Sequence, residues 1–198
     1  MVEKDRWCQM VLRRHFPDAK LFGDIKEVTG DDIRAAGFNP ERGIVTFGFP
    51  CTDLSAAGRG EGITAERSGL FFEAVRLLKE LQPRWFVLEN VPNLLGIHKG
   101  RDFDTVLGAL AECGDYHLVW RVLDAQYSGV PQRRRRIILI GHSGTSWRAP
   151  AEILFESQGV PGYLAAGRKA GTETPGAAGT SAEPCGAAVT THTHTHTR

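Results

Sequence analysis

Two apolar periods alternate along this chain. Trp7, Met10 and Val11 recur at three- and four-residue spacing, which predicts an amphipathic helix over residues 5–15. Residues 20–25 (KLFGDI) then read as a short strand, and residues 43–49 (GIVTFGF) as a second. Leu70, Phe71, Ala74, Leu77, Leu78 and Leu81 share one helical face across residues 66–81, and Pro83 ends that helix. Residues 84–89 (RWFVLE) form a third strand that Pro92 prevents from continuing. Phe103, Val106, Leu107 and Leu110 mark another helix finishing near Gly114, and residues 117–123 and 134–140 are the last two strands.

Strand and helix patterns that alternate in this way predict an α/β fold: a mostly parallel sheet with helices on both faces. Ligands of such sheets sit beyond the carboxyl ends of the strands. Asp24, Cys51 and Glu89 all fall at such ends, and a glycine-rich loop runs from Ala56 to Gly62. Beyond Leu164 the only sizeable aliphatic residue is Val189. Residues 1–155 are therefore read as the folded domain and 156–198 as a low-complexity tail. Such a tail buries too little apolar surface to offset its ordering entropy and is expected to be disordered. Its Thr-His alternation at 191–197 is what an AC dinucleotide repeat would encode, and it has no scaffold to fix a metal geometry.

Composition narrows the class further. A hydrophobic fraction of 41% and a charged fraction of 24% describe a globular protein, and a net charge of only +1 means that any nucleic-acid surface must be a local patch. The four cysteines lack metal-type or disulfide-framework spacing, which points to free thiols in a reducing compartment. The charged start MVEKDRW lacks a secretory core, and no apolar run approaches a membrane span. The expected location is intracellular and soluble, cytoplasmic in a prokaryote.

Three features carry chemistry when taken together: Cys51 directly after Pro50, Glu89-Asn90-Val91 at the end of a strand, and Gln132 followed by four arginines. Singly each has a plain reading, as a structural thiol, a satisfied strand-end carboxylate and a solvated cationic edge. Together they suit covalent attack on a pyrimidine. Carbon 5 of cytosine is a weak nucleophile until a thiolate adds at carbon 6 and turns the ring into an enamine. Such a site needs an activated thiol, an acid near ring nitrogen 3 and a fixed methyl donor. A free thiol titrates near about 8.5, so nearby positive charge helps. A carboxyl in a dry pocket keeps its proton more readily than in water. Arg134 and Arg136 alternate along a strand and share one face, from which they can hold a carbonyl oxygen, steady the acid or contact phosphate.

GFPCTDLSAAGR, ERSGLFFEAVRLL, FVLENVPNL and PQRRRRIILIG, in that order, resemble the successive motifs of the cytosine carbon-5 DNA methyltransferases. VEKDRWCQMVLRRHFPDAKLFGDI is similar to the segment between that family's first and fourth motifs. The resemblance covers residues 2 to about 155. It implies a Rossmann-like methyltransferase sheet, S-adenosylmethionine as cofactor and a cytosine flipped out of duplex DNA as substrate, in the setting of restriction-modification. It makes Cys51 the nucleophile, Glu89 the acid, Asn90 the residue that orders the loop, and Gln132, Arg134 and Arg136 the Gln-x-Arg-x-Arg motif. Arg134 and Arg136 then belong to the catalytic set, and Asn90, Gln132 and Ser55 to the substrate side. Glu3 would take the cofactor ribose, Asp24 and Ile25 the adenine, and Pro50 and Leu70 the flanks of that pocket. The loop from Ala56 to Arg67 resembles one that closes over the flipped base.

Two parts of that family's pattern have no counterpart here: the Phe-x-Gly-x-Gly turn expected before Glu3, with its strand, and the target-recognition region and last two motifs expected after residue 155. The expectation is a catalytic domain lacking its first strand, weak or inactive alone. Two alternatives stand beside it. One is a transfer-RNA cytosine methyltransferase, which resembles this chain but favours Cys-Phe-Thr where Cys51-Thr52-Asp53 stands. The other is a non-catalytic remnant or a subunit completed by a partner chain.

Overall fold

The computed structural model describes residues 1–50 and 69–155, together with the backbone of Val189 and Thr190. Cys51, Ser55, the glycine-rich loop and the Thr-His run lie outside the described residues. The elements in chain order are α1 (Arg6–His15), α2 (Gly30–Ala35), β1 (Ile44–Gly48), α3 (Gly69–Leu81), β2 (Trp85–Asn90), α4 (Arg101–Ala111), β3 (His117–Asp124), β4 (Arg135–His142), α5 (Arg148–Leu154) and the two-residue β5 (Val189–Thr190). Two 3-10 turns, Pro92–Leu95 and Ile97–Gly100, link β2 to α4.

The sheet order is β1-β2-β4-β3-β5. β1, β2 and β3 share one direction, and β4 is inserted antiparallel between β2 and β3. The α/β class expected from the pattern stands, as a Rossmann-like sheet. Parallel pairing, however, is confined to β1 with β2. The reason is the connection between β3 and β4. Residues 125–134 hold one short 3-10 turn and no helix, so no crossover is available to bring β4 in parallel.

Helices lie on both faces. Phe86 and Leu88 of β2 and Ile137 and Leu139 of β4 are fully buried on one face, under Phe71, Val75 and Leu78 of α3 and Phe103, Val106 and Leu110 of α4. The opposite face carries Val119 and Ile140 against Leu154 of α5, with Trp85, Val87 and Ile138 half-buried around them. Alternation along β2 explains this division, because successive side chains point to opposite faces.

Two expectations change locally. Residues 20–25 form no strand beyond a single parallel bridge between Val2 and Phe22. The Asp24 side chain accepts from Lys26 N at 3.0 Å and its carbonyl from Glu27 N at 3.1 Å, which turns the chain out of the extended form. Two helices carried too little apolar pattern to be read. α2 has six residues, mostly polar, and stands on a capping box between Thr29 and Asp32. α5 has seven, with Pro150 in its first turn.

His142, at the end of β4, is buried and stacked on Trp85 with centroids 3.9 Å apart, and neither ring nitrogen has a hydrogen-bond partner among the described residues. Burial, and next the charge of Arg84, hold its imidazole pKa below the ordinary 6.5. The folded protein therefore binds fewer protons here than the unfolded chain. The contribution is fully present above about pH 6.5 and is lost as pH falls below it. We expect His142→Phe, which keeps the stack, to flatten that acid slope and to leave neutral-pH stability equal or higher. Urea midpoints from pH 7.5 down to 5 test this, and an unchanged slope would exclude His142 as the source.

Candidate active site

The carboxyl ends of β1 and β2 meet where the chain heads toward Cys51. Gly48 pairs with Glu89 in parallel register, and Ile138 of β4 lies on the other side of Glu89. A Cβ at position 48 would stand 3.1 Å from the Glu89 carbonyl oxygen and 3.4 Å from Glu89 Oε2. The Glu89 carboxylate is thus laid against the backbone three residues before Cys51, where a side chain at position 48 would crowd it.

On its other side Glu89 Oε1 accepts from Arg136 Nε at 2.6 Å. The Glu89 side chain is 45% accessible and that of Arg136 25%, so the pair faces an open mouth instead of a sealed pocket. Arg136 lies one position into β4 and its Nη1 also reaches the Arg135 carbonyl at 2.8 Å.

Asn90 is buried, and both ends of its amide are used inside the chain. Its Nδ2 donates to Phe49 O at 3.2 Å and its Oδ1 accepts from Val91 N at 2.8 Å. It ties the exit of β1 to the exit of β2.

Arg134 and Gln132 are exposed in the approach to β4. Asp124, the last residue of β3, sets that approach. Its carboxylate accepts from Arg134 N at 3.0 Å and from Gln126 Nε2 at 2.9 Å, while Ala125 N donates to Arg134 O at 3.0 Å. Sequence reasoning missed Asp124. Its position at a strand end, ten residues before Arg134, was the available signal.

A second group gathers the residues expected on the cofactor side. The bridge between Val2 and Phe22 brings Glu3 beside the 22–25 segment, with Glu3 N donating to Phe22 O at 3.0 Å. Glu3 Oε1 accepts from Asp5 N at 2.8 Å, and no described donor holds its other carboxylate oxygen. Asp24 is paired with Lys4 at 2.8 Å, and that hydrogen bond holds its carboxyl below the ordinary range. Ile25 is half-buried, whereas Leu70 and Pro50 are exposed.

Arg76 of α3 anchors this segment and was also missed. Its Nη2 donates to Ile25 O and Val28 O, each at 2.9 Å. Its Nε and Nη1 bind Glu73 at 2.7 Å and Glu80 at 2.8 Å. Glu80 in turn accepts from Gly30 N at 2.6 Å, and Arg76, then Gly30, lower its carboxyl pKa. A charged triplet at three- and four-residue spacing on an otherwise apolar helix was the readable sign. We expect Arg76→Leu to leave two carbonyls and two like charges unpaired. The cost is about 1–3 kcal/mol, read as a lower urea midpoint, and an unchanged midpoint would show that the anchor carries nothing.

A surface hollow of about 370 Å³ along α5, lined by Trp147, Arg148, Ala151, Glu152 and Phe155, includes none of the expected site residues. Among the described residues no helix is long and apolar enough to cross a membrane, and no group of three metal-binding side chains occurs.

The family described as C-5 cytosine-specific DNA methylase matches residues 1–159. The type II methyltransferase M.BsuFI of Bacillus subtilis is 36% identical over 139 residues, covering 70% of this chain and 32% of that protein. The type II methyltransferase M.SsoII of Shigella sonnei is 40% identical over 156 residues, covering 77% and 38%. The chain thus spans about a third of the length of the curated relatives it matches. Two solved structures share the fold. One is a putative DNA modification methyltransferase encoded within an E. coli prophage (TM-score 0.57, 23% identity, 71% of this chain and 38% of that one). The other is the S. pombe Dnmt2 methyltransferase (TM-score 0.54, 18% identity, 73% and 43%). With its fold and motif order matched over most of its length, the chain belongs to the C-5 cytosine-specific DNA methylase family.

Proposed function

We propose that this chain carries the catalytic half of a DNA cytosine carbon-5 methyltransferase acting on a base extruded from the duplex. The observation that carries the reading is the Glu89 carboxylate, set against Gly48 on one side and Arg136 on the other, at the entrance to the Pro50-Cys51 segment.

The Cys51 sulfur adds to carbon 6 of the cytosine. The displaced π electrons move toward ring nitrogen 3, where the Glu89 carboxyl donates a hydrogen bond or its proton. Arg136 holds that carboxyl in place through the 2.6 Å contact. Carbon 5, now enamine-like, would take the methyl group from a sulfonium donor, whose sulfur keeps the bonding pair as a neutral thioether. A water molecule then takes the carbon-5 proton as the Cys51 sulfur leaves as thiolate, and ring nitrogen 3 gives its proton back to Glu89, restoring the aromatic ring. Arg134 and Gln132, exposed in the approach to β4, would take the carbonyl oxygen of the base or phosphate.

The cofactor side tests well for a nucleoside. Glu3 retains a free carboxylate oxygen for ribose hydroxyls, and Ile25, Leu70 and Pro50 offer apolar surface for a base. These residues, with Asp24, would hold S-adenosylmethionine, which supplies an electrophilic methyl group on a sulfonium. Arg76 keeps the Ile25 segment in register for it. The test is a single-turnover trap: the chain is incubated with cofactor and a duplex containing 5-fluorocytosine, which cannot lose its carbon-5 substituent. A complex that survives denaturant is expected over hours even if turnover is slow. Its absence would overturn the reading.

A further inference from the structure

Between β2 and α4 the backbone does something unusual for its residue types. His98 (φ 49) and Lys99 (φ 61) both adopt the left-handed conformation, followed by Gly100 at φ 88. Gln82 is the only other non-glycine residue with positive φ among the described residues. Two adjacent side-chain-bearing residues in that region are held only when their surroundings over-determine them. Here the holding contact is a side-chain hydrogen bond: His98 Nδ1 lies 2.9 Å from Asp102 Oδ2, with the Asp102 side chain 4% accessible. Arg101 Nε also donates to His98 O at 3.1 Å.

The outcome of this clamp is placement. α4 runs back from the carboxyl end of β2, so the turn lies at that end of the sheet, the same end from which antiparallel β4 starts with Arg135. Lys99 and Arg101 are exposed there, and neither has an ion-pair partner among the described residues. The exposed Arg133 and Arg134 supply further positive charge at that end. A buried carboxylate and strained backbone spent on displaying a lysine have no evident packing purpose.

We propose that the His98–Arg101 turn is a DNA-backbone contact, in which Lys99 and Arg101 each neutralise a phosphate and the His98–Asp102 pair holds them in position. It rests on the DNA reading above and adds a contact outside the Gln-x-Arg-x-Arg motif. The consequence separates charge from conformation. Lys99→Gly removes the cation but suits the left-handed backbone, so it should stabilise the turn while weakening the complex.

The test is fluorescence anisotropy of the full chain with a mixed-sequence duplex across a range of salt, alongside urea unfolding. Wild type should show salt-dependent binding. Lys99→Gly should reduce the log–log salt slope by about 1 and the affinity about eightfold at 0.1 M salt, with an equal or higher urea midpoint. Arg101→Ala should reduce the slope similarly, and Lys99→Arg should preserve it. Wild-type binding with an unchanged slope in both Lys99→Gly and Arg101→Ala overturns the proposal and leaves the DNA reading intact. No duplex binding by wild type at any salt removes both.

Discussion

On the proposed mechanism, Cys51→Ala is expected to abolish the denaturant-resistant complex with fluorinated cytosine, and Glu89→Gln to slow its formation by roughly 10²- to 10⁴-fold. Alanine leaves no sulfur to bond carbon 6. The two described cysteines, Cys8 and Cys113, offer no ready substitute. Burial pushes the Cys113 thiol up to about 11, and the neighbouring Asp5 raises that of Cys8, so neither is a ready thiolate. Glutamine at position 89 keeps the size and the Gly48 contact but cannot hand over a proton. Because the Glu89–Arg136 pair is partly open to solvent, its loss should cost at most about 1 kcal/mol of stability. A large rate effect with a small urea shift is therefore the signature of a chemical role. Trapping by Cys51→Ala would put the nucleophile elsewhere, and a wild-type rate for Glu89→Gln would remove it as the acid.

Much of this arrangement was legible because period and position coincide. The apolar faces of α3 and α4 and the alternation in β2 can be read directly, and Glu89 and Asn90 fall at a strand end where an α/β sheet exposes its chemistry. What escaped is non-local or short. The direction of β4 depends on what fills residues 125–134, and an absent helix is a weaker sign than a present one. α2 rests on a capping box more than on apolar pattern. Arg76 and Asp124 act through backbone atoms of residues about 50 and 10 positions away, contacts that spacing alone does not announce.

The openness around Glu89 also refines the chemistry. A carboxyl sealed in a dry pocket would keep its proton by desolvation. Here the Glu89 side chain is 45% accessible, so on the proposed reading the entering base supplies the exclusion of water, and substrate entry and completion of the site are one event.

The same coupling makes Asn90 a sensitive position through its backbone ties alone. Asn90→Leu leaves Phe49 O and Val91 N without the partners they have at 3.2 and 2.8 Å, in a site where Asn90 itself is 3% accessible. Each unpaired group costs about 1–3 kcal/mol, so a total loss of roughly 2–6 kcal/mol is expected in urea unfolding. The rate should suffer as well. Phe49 is two residues before Cys51, and a shift of about 1 Å in a reacting atom costs on the order of 10²-fold. Asn90→Asp separates the two effects: it can still accept from Val91 N but sets a carboxylate against the Phe49 carbonyl. Its trapping rate should fall well below wild type even where its fold persists, while duplex affinity stays unchanged. An Asn90→Asp chain that traps at the wild-type rate would show that the link to Phe49 does not position the sulfur.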